Sequence, residues 1–196
     1  MGKDMEAELK KRFNVGKVSQ AYGMTETTLG VLLSPYGGGK IGSVGKVVHG
    51  MMVKVIDEKG RALGPYQEGE LCCKGPLIMK GCVGDPESTR NTIDQEGWIH
   101  TGDIAYYDED EYFFIVDRLK ELIKYKAFQV APAELEALLL THPSIQDSAV
   151  IGLPNEDVGE LPLAFVVKKP GKDITEKEVE KFIADRVSHQ KQLRGG

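Results

Sequence analysis

The stretch QAYGMTETTLG, residues 20–30, sets three hydroxyls and one carboxylate in four consecutive positions, Thr25, Glu26, Thr27 and Thr28. Such a set can donate to anionic oxygens and can also hold a hard cation. It is equally the composition of a polar turn, or of an N-cap ahead of the apolar LGVLL. Further reactive or charged groups stand in GELCCKG (69–75), GWIHTGD (97–103) and DRLKELIKYKAFQVAPAELE (117–136). Other apparent motifs carry no chemistry. Gly37, Gly39 and Gly42 have the G-x-G-x-x-G spacing, but the following SVGKVVHGMMVKVID reads as strand, not as the helix a dinucleotide fingerprint needs. Cys72 and Cys73 point to opposite faces if their segment is a strand, so they form no redox pair. HTGD has no nucleophile context for a hydrolytic triad.

Positioning these groups takes two kinds of structure. Residues 4–13 read as a charged helix with Met5, Leu9 and Phe13 at a spacing of four. Val15 to Tyr22 begins like a buried strand and breaks at Gly23. From about residue 50 to 117, MMVKVID, GELCCKG, DIAYYD and YFFIVD read as short strands separated by DEKG, GPYQEG and DEDE, with a helical insert near DPESTRNTI. After Arg118 the texture changes. ELIKYKAFQV reads as strand-like, and APAELEALLLTH as a helix with Pro132 in its first turn and Leu135, Leu138 and Leu139 on one face. QDSAVIGLP and ELPLAFVVKK read as strands. TEKEVEKFIADRV opens with a capping box, Thr175 with Glu178, and Ile174 can staple to Val179. The expected fold class is α+β: a small, distorted antiparallel β-barrel subdomain, then a compact α+β domain across a hinge. The domains are expected at 1–117 and 118–196.

Composition narrows the function classes. The 196 residues are 41% hydrophobic and 28% charged, with 25 basic and 30 acidic side chains for a net charge of −5. This balance argues against a nucleic-acid or lipid-surface partner. No apolar run approaches the length of a membrane span, and MGKDMEAELKK has no signal core. Three cysteines without a C-x-x-C read as reduced thiols in an intracellular protein rather than as disulfides or a zinc site. The four scattered histidines read as surface or packing residues.

Taken in order, YGMTETT, GELCCKG, GWIHTGD and DRLKELIKYK with QVAPAELE resemble the adenylate-forming superfamily, which includes acyl-CoA synthetases, 4-coumarate–CoA ligases and firefly-type luciferases. The resemblance implies two half-reactions. A carboxylate attacks the α-phosphate of Mg-ATP, giving an acyl-adenylate and pyrophosphate; a thiol, usually that of coenzyme A, then displaces AMP. It implies ATP, Mg2+ and coenzyme A as cofactors, a small-molecule carboxylic acid as substrate, and no protein partner. By resemblance, Tyr22 stacks on adenine, Gln20 and Ala21 line the acyl pocket beside Gly23, Thr25 donates to the α-phosphate and Glu26 places magnesium. Asp103 matches the aspartate that chelates the ribose hydroxyls, with Arg118 reaching the same ribose. Lys120 matches the hinge, Lys124 approaches the adenylate in the second half-reaction, Lys126 counts with the cofactor-binding residues, and Gln129 resembles a glutamine important in coumarate ligases. Where the family has glycine after the second lysine, this chain has Ala127, which is expected to narrow the coenzyme A route. The family's upstream phosphate loop and terminal catalytic lysine have no counterpart here. The chain therefore reads as a C-terminal piece of a ligase, inactive alone. The alternatives are a luciferase-type monooxygenase or a non-catalytic truncated nucleotide-binding module. The expected location is cytoplasmic or peroxisomal.

Overall fold

A computed structural model describes residues 3–126 and 128–195. The chain divides into two compact units, one reaching to Val116 and one starting at Asp117. Among the described residues no helix is long and apolar enough to cross a membrane.

In the first unit, helix α1 (Lys3–Phe13) precedes strands β1 (Ala21–Gly23), β2 (Gly30–Leu33) and β3 (Lys46–Val47), which form a sheet in that order. A single 3-10 turn, Thr25–Thr27, lies between β1 and β2. Strands β4 (Met52–Ile56), β5 (Gly69–Lys74), β6 (Ile99–Tyr107) and β7 (Phe113–Arg118) form a second sheet in sequence order, and helix α2 (Pro86–Thr92) sits between β5 and β6. Val31 and Leu32 of the first sheet share one core with Val55, Leu71, Cys73 and Ile99 of the second. The expected barrel is not formed. Both sheets are open, because small closed barrels take about eight strands at a fixed tilt and stagger, and four cannot close.

Two local expectations also change. The apolar stripe of α1 faces solvent, with Met5 53% and Phe13 65% exposed, while Glu6 is buried. Its carboxylate pairs with Lys10 at 2.7 Å and accepts from Gly42 N at 3.2 Å and from Gln20 Nε2 at 3.3 Å. Lys10 holds this carboxyl below the usual range even though burial opposes it. Residues 15–20 form no strand, because the partner β2 offers pairing only to Ala21, Tyr22 and Gly23.

The second unit packs helices α3 (Pro132–Leu140) and α4 (Glu176–Ala184) on a four-stranded sheet. Its strands are β8 (Ile123–Tyr125), β9 (Phe128–Val130), β10 (Ile145–Asn155) and β11 (Gly159–Lys168), in the order β10-β11-β8-β9. Leu135 and Leu139 of α3 and Val179 and Ile183 of α4 meet Ile123, Tyr125, Val130, Ile145 and Val150 in its core. The run ELIKYKAFQV is two strands rather than one: Lys126 sits at φ 53°, a left-handed conformation that turns the chain. Helix α4 carries the expected capping box, with Thr175 N donating to Glu178 Oε2 at 2.8 Å. Helix α3 has no capping side chain at Ala131; Asp117, fifteen positions before Pro132, accepts from Ala133 N at 3.0 Å instead.

Candidate functional site

The site in the first unit is built on a bulge. Between the cross-strand pairs Glu70–Ile104 and Cys72–His100, the single residue Leu71 of β5 faces Thr101, Gly102 and Asp103 of β6. Extra residues on one strand bend it and re-aim its side chains. Gly102 takes φ 71°, which glycine adopts without the Cβ clash other residues meet. Glu70 fixes the bulge from the neighbouring strand: Oε1 accepts from Gly102 N at 3.1 Å and Oε2 from His100 Nδ1 at 2.9 Å. Thr101 Oγ1 donates to the Leu71 carbonyl at 2.7 Å and accepts from Asp103 N at 3.1 Å.

Held in this way, Asp103 Oδ2 accepts from the Tyr22 hydroxyl at 2.6 Å. Burial and then this hydrogen bond push the Tyr22 phenol far above its ordinary range, so it remains a donor. Burial, with Asp103 adding, pushes the Cys73 thiol up to about 12; burial and Glu70 do the same for Cys72. Neither thiol is an activated nucleophile.

Tyr22 leads into the hydroxyl run. Gly23 is required by close packing, since a Cβ there would lie 2.5 Å from the Leu29 carbonyl oxygen. The four polar residues then divide into two kinds. Thr27 is buried, its Oγ1 accepting from Met24 N at 2.9 Å and lying 2.8 Å from the Leu29 carbonyl. Thr28 is held at φ 63°, costly for a β-branched residue, and its hydroxyl donates to the Leu77 carbonyl at 2.8 Å. These two shape the loop. Thr25 is exposed and Glu26 half-buried, while the Glu26 carbonyl accepts from Met79 N at 2.8 Å. Among the described residues, no group of three His, Cys or carboxylate ligands includes Glu26. One carboxylate fits magnesium only where substrate oxygens and water complete the shell, which is how that cation is commonly bound. The Gln20 side-chain amide donates to Glu6, and Ala21 is exposed.

The second unit carries the remaining expected residues. Arg118 ends β7 and Lys120 lies in the turn after it; both are exposed. Lys124 on β8 stands directly opposite Gln129 on β9, and both are exposed. Lys124 N donates to Glu160 Oε2 at 2.7 Å. The Lys126 ammonium lies 5.5 Å from the centre of the Tyr125 ring. Ala127 lies outside the described residues. The structure thus brings Tyr22 to Asp103 and Lys124 to Gln129. Sequence reasoning missed Glu70 and Thr101 as the residues that set Asp103. Both lie inside quoted motifs, but their link crosses a strand pair about thirty residues apart and has no local signal.

Comparison with known proteins agrees across sequence and structure. Two models of one family match the chain: AMP-binding enzyme at residues 1–83 and AMP-binding enzyme C-terminal domain at residues 134–195. Luciferin 4-monooxygenase of Photinus pyralis is 54% identical over 197 residues, covering 100% of this chain and 36% of that protein. 4-coumarate-CoA ligase 1 of Narcissus pseudonarcissus is 48% identical over 200 residues, covering 98% of this chain and 36% of that protein. The crystal structure of ATP-bound MatB from Rhodopseudomonas palustris superposes with a TM-score of 0.92 at 33% identity, covering 98% of this chain and 38% of that one. The chain thus spans roughly a third of the length of the relatives it matches.

Proposed function

We propose, on the premise that this chain belongs to the AMP-binding, adenylate-forming enzyme family of acyl-CoA ligases and luciferases, that its first unit holds the adenosine of ATP and of an acyl-adenylate. The observation that carries this reading is the 2.6 Å contact between the Tyr22 hydroxyl and Asp103. It sets an aromatic ring beside a carboxylate that the bulge of β6 keeps oriented. Two vicinal ribose hydroxyls suit two carboxylate oxygens, as in dinucleotide folds, and an aromatic ring offers a base a stacking face. Thr25 donates to the α-phosphate. Glu26, together with phosphate oxygens, holds Mg2+, which when bound neutralises phosphate charge.

In the parent reaction a carboxylate oxygen of an organic acid attacks the α-phosphorus and pyrophosphate leaves. The sulfur of coenzyme A then attacks the acyl carbon, loses its proton and expels AMP. Arg118, Lys120, Lys124, Lys126, Ala127 and Gln129 serve the nucleotide, the domain hinge and the second step. This assigns 1–117 to the end of the large domain and 118–196 to a mobile C-terminal domain of a longer enzyme. A second reading, oxidation of the adenylate by oxygen, is favoured by the 54% identity to a luciferin 4-monooxygenase. The two readings share the adenosine site.

The experiment is equilibrium dialysis of labelled ATP against the 196-residue chain and its Asp103→Ala variant. Hydrogen bonds to a charged acceptor contribute roughly 1.5–3 kcal/mol each, so losing two weakens binding at least about tenfold. Equal affinity for the two proteins, with the variant folded by circular dichroism, would overturn the assignment.

A further inference from the structure

We propose that Glu70, Cys72 and His100 form a binding site for a borderline divalent cation of the zinc class, bridging β5 and β6 at the base of the bulge. Glu70 and Cys72 are two residues apart on β5 and so share a face, and Cys72 stands directly opposite His100 on β6. Glu70 Oε2 is 2.9 Å and Cys72 Sγ 3.7 Å from His100 Nδ1, and the three donor atoms all lie within 4.8 Å of one another. Zinc bonds of about 2.0–2.3 Å in a tetrahedron set neighbouring ligand atoms roughly 3.3–3.8 Å apart. Shifts of about 1 Å or less therefore close the set around an ion.

The surroundings favour occupancy. Asp94 Oδ2 lies 3.8 Å from the other imidazole nitrogen of His100, longer than a hydrogen bond but on the side where a carboxylate commonly backs a ligating ring. Asp94 is itself fixed by the N–H groups of Glu96 and Trp98, each at 2.9 Å. The charge against the site is Lys54, which pairs with Cys72 across β4, but its ammonium sits over the Trp98 ring at 4.3 Å. His100, with its side chain 33% exposed, offers the way in; Cys72 is fully buried. On binding, the metal forms bonds to oxygen, nitrogen and sulfur while the imidazole Nδ1 and thiol protons leave to solvent. A sulfur and a nitrogen among three ligands select zinc, cobalt or cadmium over magnesium or calcium.

The site stands on its own geometry and does not depend on the nucleotide reading. Co2+ is the probe, titrated into the reduced 196-residue chain while the thiolate-to-cobalt charge-transfer absorption is followed. The band is expected in the native chain and in Cys82→Ala, and absent from Cys72→Ala and His100→Ala. Zn2+ is expected to erase the band and to raise the melting temperature of the native chain, while Mg2+ does neither. His100→Ala keeps the test decisive if Cys72→Ala fails to fold, because the His100 ring is partly exposed. No band in the native chain, a band surviving in His100→Ala, or its loss from Cys82→Ala would each overturn the proposal.

Discussion

Glu70 shows how one side chain can govern a site it does not enter. Its two oxygens hold Gly102 N and His100 Nδ1, and through the bulge they set where Asp103 meets Tyr22. Removing the carboxylate leaves the Gly102 N–H without that acceptor and frees the bulge to relax. A hydrogen bond to a charged acceptor contributes roughly 1.5–3 kcal/mol. Glu70→Ala is therefore expected to weaken ATP binding by about tenfold, whereas Glu70→Gln, which keeps a carbonyl acceptor for Gly102 N, retains most of the affinity. Calorimetric titration of both variants checks this. Equal losses in the two would assign the effect to charge and not to the bulge.

At the scale of elements, turns and caps are tied by acidic side chains. Asp108 closes the β6–β7 hairpin, its Oδ1 accepting from Asp110 N and Tyr112 N at 3.0 Å each while Oδ2 meets Lys40 Nζ at 2.5 Å. Burial works against the Asp108 carboxylate, but Lys40 and these N–H groups hold its pKa below the ordinary value. The same contact, with Asp110 beside it, raises the Lys40 ammonium above its ordinary range. A carboxyl lowered on folding stabilises the fold above its unfolded pKa, near 3.9, and that contribution fades as pH falls through the lowered folded value. A raised ammonium stabilises below its own unfolded value and fades only as pH rises through the folded one. Lys40→Met is thus expected to lower the melting temperature by a constant amount from pH 5 to 8, with the difference shrinking below about pH 4. Thermal melts of the two proteins across that range check the sign; a deficit that grows in acid would refute it.

At the scale of the whole molecule, the two units meet in sequence at an exposed stretch. Arg118, Lys120 and Glu121 are exposed, whereas Ile123 and Tyr125 are buried in the second core. Tryptic digestion under native conditions is expected to cut first after Arg118 or Lys120, leaving two protected fragments on a gel. Early cuts within both units that spare this stretch would contradict it.

The sequence by itself determined the family, the α+β class, and the strands and helices whose signals are local. The capping box at Thr175 and the leucine face of α3 both depend on residues within a turn or two of each other. Tertiary structure decided the rest. YGMTETT sets four polar groups in a row; the structure shows that Thr27 and Thr28 serve the loop through Met24, Leu29 and Leu77, leaving Thr25 exposed and Glu26 half-buried. The sheet that reads as a barrel stays open, and the apolar stripe of α1 faces solvent while Glu6 finds its partners on Gly42 and Gln20. The register of β5 against β6, which aims Asp103 and gathers Glu70, Cys72 and His100, depends on pairing between segments about thirty residues apart. Spacing along the chain encodes which face a side chain takes within its own element. Which distant backbone N–H or carboxylate it meets is set only when the strands have paired.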